Sequence, residues 1–140
     1  MELRYSVSKD EFAHAGEASS NLKKVLKQLG ISAELIRKIA IAMYEAEINM
    51  VIHADGGVID VSILPEKIKI VLKDTGPGIP DIDKAMQEGF STATDEIRNL
   101  GFGAGMGLPN MKKNADFVKV SSEVGVGTTV ELEVILKTEP

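Results

Sequence analysis

The stretch Asp74-Thr75-Gly76-Pro77-Gly78-Ile79-Pro80 sets the first constraint on the fold. It follows Ile68-Lys69-Ile70-Val71-Leu72, an apolar run that predicts a buried strand. Two prolines remove amide donors and two glycines open backbone angles closed to other residues, so the strand cannot continue past Asp74. The sheet must end there, with a carboxylate at its mouth and a backbone free of bulky side chains beyond it. Such a corner suits the flat edge of a ligand. It equally suits a plain turn, which Pro-Gly marks most of the time.

The remaining pattern is read around that corner. Residues 2–8 predict a strand with Leu3, Tyr5 and Val7 on one face. A helix is expected over about 11–29, capped by Ser8 or Asp10 and ended by Gly30, with Leu22, Val25, Leu26 and Leu29 as its inner stripe. Lys23, Lys24 and Lys27 form its solvated face. Ser32 caps a second helix over 33–52 with apolar periodicity at Leu35, Ile36, Ile39, Ala40, Met43 and Ala46. Asp55-Gly56-Gly57 is a turn into a hairpin, Val58–Leu64 and residues 67–73. A short helix follows from Asp81 to about Met86. Residues 88–107 lack a period and are rich in Gly, Ser and Thr, which marks a functional loop or a disordered one. A helix through Asn110, Met111 and Lys112 comes next. Two strands follow: one starts at Phe117 and the other covers Thr128–Leu136, with a turn at Glu123–Gly127 and a fraying tail. The expected fold is α+β, a two-layer sandwich with helices on one face of a mixed, mostly antiparallel sheet, in a single domain over residues 1–140.

Composition narrows the function classes. A chain of 140 residues, 44% hydrophobic and 26% charged, fits one globular core. Without cysteine there is no disulfide, thiolate metal site or thiol nucleophile. The net charge of -5 argues against a nucleic-acid surface. No apolar run is long enough to span a bilayer and no secretory signal opens the chain, so no membrane role and a cytoplasmic location are expected.

Three features carry chemistry. Glu45 and Asn49 are four residues apart and share a helical face. Alone they read as a surface pair, and Glu47 is expected on the opposite face in solvent. Gly101-Phe102-Gly103-Ala104-Gly105-Met106-Gly107-Leu108 feeds a helix N-terminus, whose free amides and positive dipole end make a phosphate cradle. It is neither a P-loop nor a dinucleotide fingerprint, and alone it reads as a mobile loop. The third feature is the Asp74 corner itself.

In order, Glu45 with Asn49, Asp74-x-Gly-x-Gly, the Gly-rich segment and Gly127-Thr128-Thr129 resemble the GHKL ATP-binding family. That family includes gyrase, the Hsp90 chaperones, histidine kinases and MutL. The stretch from Gly76 to Thr129 is most similar to the stand-alone bacterial Ser/Thr kinases of anti-sigma regulation, and among them to the stressosome switch kinase. The resemblance implies a Bergerat ATP-binding fold and assigns roles. Asp74 would accept a hydrogen bond from the adenine amino group, Gly76, Gly78 and Ile79 would line the base, and Thr128 would support the adenine contact through water. Asn49 would place an oxygen on Mg²⁺. Gly103, Gly105 and Gly107 would fold over the ATP phosphates, with the amides near Leu108 completing the cradle, and Met106 would pack on the nucleotide or on a partner. Glu45 would be the catalytic base.

The resemblance further implies a kinase that transfers the γ-phosphate of ATP to a Ser or Thr of a STAS-type antagonist protein. A sigma factor and a PP2C-type phosphatase are the other implied partners, with the chain a monomer or a homodimer. No phosphoacceptor or transducer domain is expected, since residues before 33 leave no room for one. Ile48 stands where the switch kinases carry a basic residue, and residues 94–100 are longer and more charged than theirs. The alternative function is therefore an ATP-gated, non-catalytic binding module or a weak ATPase.

Overall fold

A computed structural model describes residues 1–8, 16–53, 56–76 and 107–136, with the side chains of residues 52, 53 and 107–109 left aside. The elements are β1 (Glu2–Ser8), α1 (Glu17–Gln28), α2 (Ala33–His53), β2 (Gly56–Ile63), β3 (Lys67–Asp74), α3 (Gly107–Asn114), β4 (Phe117–Glu123) and β5 (Gly127–Ile135). The expected short helix at 81–86 and most of the 88–107 segment lie outside the described residues.

The strands form one sheet in the order β1-β2-β3-β5-β4, and all four pairings are antiparallel. Alternation dictates its two faces. Ile59, Val61, Ile70, Leu72, Leu132 and Val134 are buried on the face toward the helices. The opposite face carries cross-strand ion pairs, Arg4 with Asp60 at 2.7 Å and Lys67 with Glu133 at 2.9 Å. The exposed Arg4 pair adds little stability, and the row of charges keeps this face in water. The architecture is thus α+β, and among the described residues the helices lie on one face only.

α2 is the central helix. It packs against α1 on one flank, α3 on the other and the sheet beneath. This explains why Ile39, Met43, Ala46, Ile48, Met50 and Val51 are all buried, a wider apolar arc than a surface helix shows. Ser32 caps it as predicted: its Oγ accepts the Leu35 amide at 3.3 Å. The end of α1 also follows its local code. Gly30, at φ 79°, donates its amide to the Lys27 carbonyl, and Ile31 donates to the Leu26 carbonyl, the double bond of a Schellman motif.

The start of α1 differs from the expectation of a helix from about residue 11. It begins at Glu17, and Ser8 is the last residue of β1, paired with Gly56, so Ser8 does not cap the helix. Asp10 lies outside the described residues. Leu29 is likewise not part of the inner stripe. It is the C-cap and is exposed, because the helix has already turned away from the core there.

Candidate functional site

The strand order brings Asp74 to the residues that surround it. β3 lies beside β5, and Lys73 pairs with Thr129, so the end of β3 meets the start of β5. The Thr128 amide donates to Asp74 Oδ1 at 2.8 Å and fixes the carboxylate. Thr128 is itself buried, and its Oγ1 lies 3.0 Å from Ser122 Oγ. Beyond the strand the chain is still latched on both sides: the Thr75 amide donates to the Gly56 carbonyl at 3.2 Å and the Gly76 amide to the Val126 carbonyl at 3.1 Å.

Two glycines allow this closeness. A Cβ on Gly57, the pairing partner of Asp74, would collide with the Lys73 carbonyl oxygen and lie 2.7 Å from Asp74 Cα. A Cβ on Gly127 would collide with the Asp74 carbonyl oxygen. The Cβ added at Gly57 would also lie 2.7 Å from the Met50 methyl group. Met50 follows Asn49 on α2, so the central helix and the Asp74 corner are packed together here.

Glu45 and Asn49 lie one turn apart on α2, both partly buried. Burial raises the Glu45 carboxyl above its ordinary range, while a hydrogen bond from Asn110 acts in the opposite direction. That bond runs from Asn110 Nδ2 on α3 to Glu45 Oε1 at 3.5 Å. A carboxyl raised by burial is a better proton acceptor than a fully solvated one. The neighbouring Tyr44 hydroxyl is also raised, first by burial and then by the Glu45 and Glu47 charges.

Glu47 is not the solvated residue the sequence predicted. It is 2% exposed, and its carboxylate accepts four hydrogen bonds at the start of α1. The Gly16 amide donates at 3.0 Å and the Ala18 amide at 3.2 Å to Oε2, while the Ser19 amide at 3.0 Å and Ser19 Oγ at 2.8 Å donate to Oε1. Gly16, the residue at the N-cap, has no side chain to do this, so α2 supplies the cap from across the interface. A negative charge at the positive end of the helix adds to the effect.

Of the residues expected at a nucleotide, Asp74, Gly76 and Thr128 are brought together, and Glu45 with Asn49 stands on the helix that packs against that corner. Gly107 and Leu108 open α3, the helix that approaches Glu45 through Asn110. Gly78, Ile79, Gly103, Gly105 and Met106 lie outside the described residues. Reading the sequence missed Asn110, Gly57 and Ser122. Gly57 carried a signal, since a glycine at a strand position marks close backbone approach, but it was absorbed into a turn. A cleft of about 800 Å³ between β1 and α1, lined by residues such as Tyr5, Glu17, Asn21 and Lys24, is separate from all of these. Among the described residues no three His, Cys, Asp or Glu side chains converge on a metal position, and no helix is long and apolar enough to cross a membrane.

Comparison with known proteins gives the same picture. A family model described as a histidine kinase-like ATPase domain matches residues 9–134. The serine/threonine-protein kinase RsbT of Bacillus subtilis is 34% identical over 113 residues, which is 78% of this chain and 79% of that protein. An anti-sigma F factor of Caldanaerobacter subterraneus subsp. tengcongensis is 40% identical over 110 residues, 75% of this chain and 73% of that one. A crystal structure of the RsbU and RsbW domains of a Mycobacterium tuberculosis protein shares the fold at a TM-score of 0.67 and 16% identity. It covers 99% of this chain, which spans 33% of that longer one. The family match over most of the chain agrees with the strand order and with relatives at 34% and 40% identity, and the chain belongs to the histidine kinase-like ATPase, or GHKL, family.

Proposed function

We propose that this chain is an Mg-ATP-dependent Ser/Thr protein kinase of the anti-sigma regulatory type, acting in the cytoplasm on a STAS-type antagonist protein. The observation that carries the reading is the half-buried Glu45 carboxylate, raised by burial and one helical turn from Asn49. The names of the relatives support it, one a serine/threonine-protein kinase and the other an anti-sigma F factor. A sigma factor and a PP2C-type phosphatase are the other partners in this reading.

The described residues fit the nucleotide and its metal. Gly57 and Gly127 let β2 and β5 close against the backbone at Asp74, which fixes the corner where the base would sit. Asp74, oriented by the Thr128 amide, accepts from the adenine amino group. By the family resemblance, Gly76, Gly78 and Ile79 would bind ATP at the base, and Gly103, Gly105, Met106, Gly107 and Leu108 would bind it at the phosphates. Asn49 offers a neutral amide oxygen, a suitable ligand for a magnesium ion that keeps its waters and takes its other ligands from phosphates. When bound, the ion neutralises charge on the phosphates.

Glu45 then does the proton chemistry. It accepts the proton of the substrate Ser hydroxyl as that oxygen bonds to the γ-phosphorus. The bond to the β–γ bridging oxygen breaks, and the electron pair leaves with ADP. The test is incubation of the chain with γ-labelled Mg-ATP and a STAS-domain protein from the same genome. Label is expected on a Ser of that protein and lost with Glu45→Ala, which still binds ATP. Transfer that survives Glu45→Ala removes Glu45 as the base. Tight ATP binding by the wild-type chain, with neither transfer nor phosphate release over hours, points instead to an ATP-gated binding module.

A further inference from the structure

We infer that Asn110 is a positioning residue for Glu45: its side-chain amide, presented by α3, holds one carboxylate oxygen and thereby sets where the other receives a proton. The inference rests on the reading of Glu45 as the base. Asn110 Nδ2 lies 3.5 Å from Glu45 Oε1, the long end of hydrogen bonding, and such contacts shorten when a substrate packs the site. A carboxylate only accepts, so the amide must turn its nitrogen toward it.

The amide is well placed to aim a base because its own helix is fixed. Met111, the next residue, is fully buried in the core against α2. The Asn110 carbonyl accepts Asn114 Nδ2 at 2.9 Å, and the Met111 carbonyl accepts the Ala115 amide at 3.0 Å, so the C-terminal turn of α3 is tied down as well. The chemistry of the side chain also suits the role. A neutral amide orients the carboxylate without neutralising it, whereas a Lys at this position would form an ion pair and quench the base. Asn110 stands three residues after Gly107, so one short helix carries both the end of the Gly-rich segment and the group that aims Glu45.

Three substitutions separate donor from shape. Asn110→Ala removes both, Asn110→Asp keeps the shape but cannot donate when ionised, and Asn110→Gln keeps the donor on a longer stem. Each is assayed for γ-phosphate transfer from Mg-ATP to the STAS-domain protein. Each is also titrated by carbon-13 NMR of the Glu carboxyls, with Glu45→Gln identifying the Glu45 signal. Ala and Asp are expected to lower kcat on the order of tenfold with KM for ATP little changed, and Gln to recover part of the loss. The Glu45 signal is expected to titrate at higher pH in Asn110→Asp than in the wild type. An Asn110→Asp chain that matches wild type in both kcat and titration overturns this inference while leaving Glu45 as the base. Transfer that survives Glu45→Gln overturns the base reading and this inference with it.

Discussion

In the proposed mechanism, Asp74 and Glu45 divide the site between recognition and chemistry. Asp74 is fixed by the Thr128 amide at 2.8 Å, so its carboxylate meets a ligand without first being ordered. Asp74→Asn keeps the shape but replaces a charged acceptor with a neutral group that also donates. We expect ATP affinity, measured by calorimetry, to fall about tenfold to a hundredfold, the usual worth of a hydrogen bond to a charged group. Unchanged affinity removes the adenine role. Glu45 makes a different prediction, because its carboxyl is raised by burial. With the folded pKa above the unfolded one, ionised Glu45 costs stability at neutral pH, and the cost disappears as pH falls below the unfolded value. Glu45→Gln should therefore raise the unfolding temperature near pH 7.5 and lose that advantage as the pH falls to about 4. A variant equally destabilised at both pH values contradicts this.

At the scale of elements, the polar contact between the start of α1 and α2 is carried by one residue, beside the buried apolar packing of Ala18, Leu22 and Leu26. Glu47 caps the first turn of α1 with four hydrogen bonds, about four turns along α2 from the end that Ser32 caps in the ordinary local way. Glu47→Ala leaves buried amides without their acceptor and should cost about 2–4 kcal/mol. Urea unfolding should show a lower midpoint at an unchanged slope, and a shift worth under about 0.5 kcal/mol, the size of an ordinary surface change, rules the cap out. The contrast between the two caps shows what the sequence makes legible. Ser32, Gly30 and the alternating strands act on neighbours a few residues away, and their outcomes follow from the local pattern. Glu47 acts on amides 28 to 31 residues distant, so helical periodicity placed it in solvent when only the α1 interface could place it correctly. Asn110 is the same case, since its partner is 65 residues away. Gly57 is intermediate: its type was visible, but its reason is the backbone of a strand that had first to be paired.

For the whole molecule, one antiparallel sheet order explains how residues far apart in the chain form one site. Placing β5 between β3 and β4 brings Thr128 to Asp74, and laying α2 over the sheet brings the Asn49–Met50 turn to Gly57. The ordered motifs were legible in local spacing: Glu45 and Asn49 one turn apart within α2, and glycines just after β3 and at the starts of α3 and β5. Their convergence required the topology, which the family resemblance supplied in outline and the strand register supplies in detail. In the proposed function, this assembly binds ATP at Asp74 and moves its phosphate through Glu45. The most direct measurement is single-turnover transfer of the γ-phosphate to the STAS-domain protein, with every variant saturated in Mg-ATP. The account predicts that Glu45→Gln stops transfer at full ATP occupancy, while Asp74→Asn transfers near the wild-type rate once ATP is raised enough to fill it. Transfer by Glu45→Gln at the wild-type rate contradicts it.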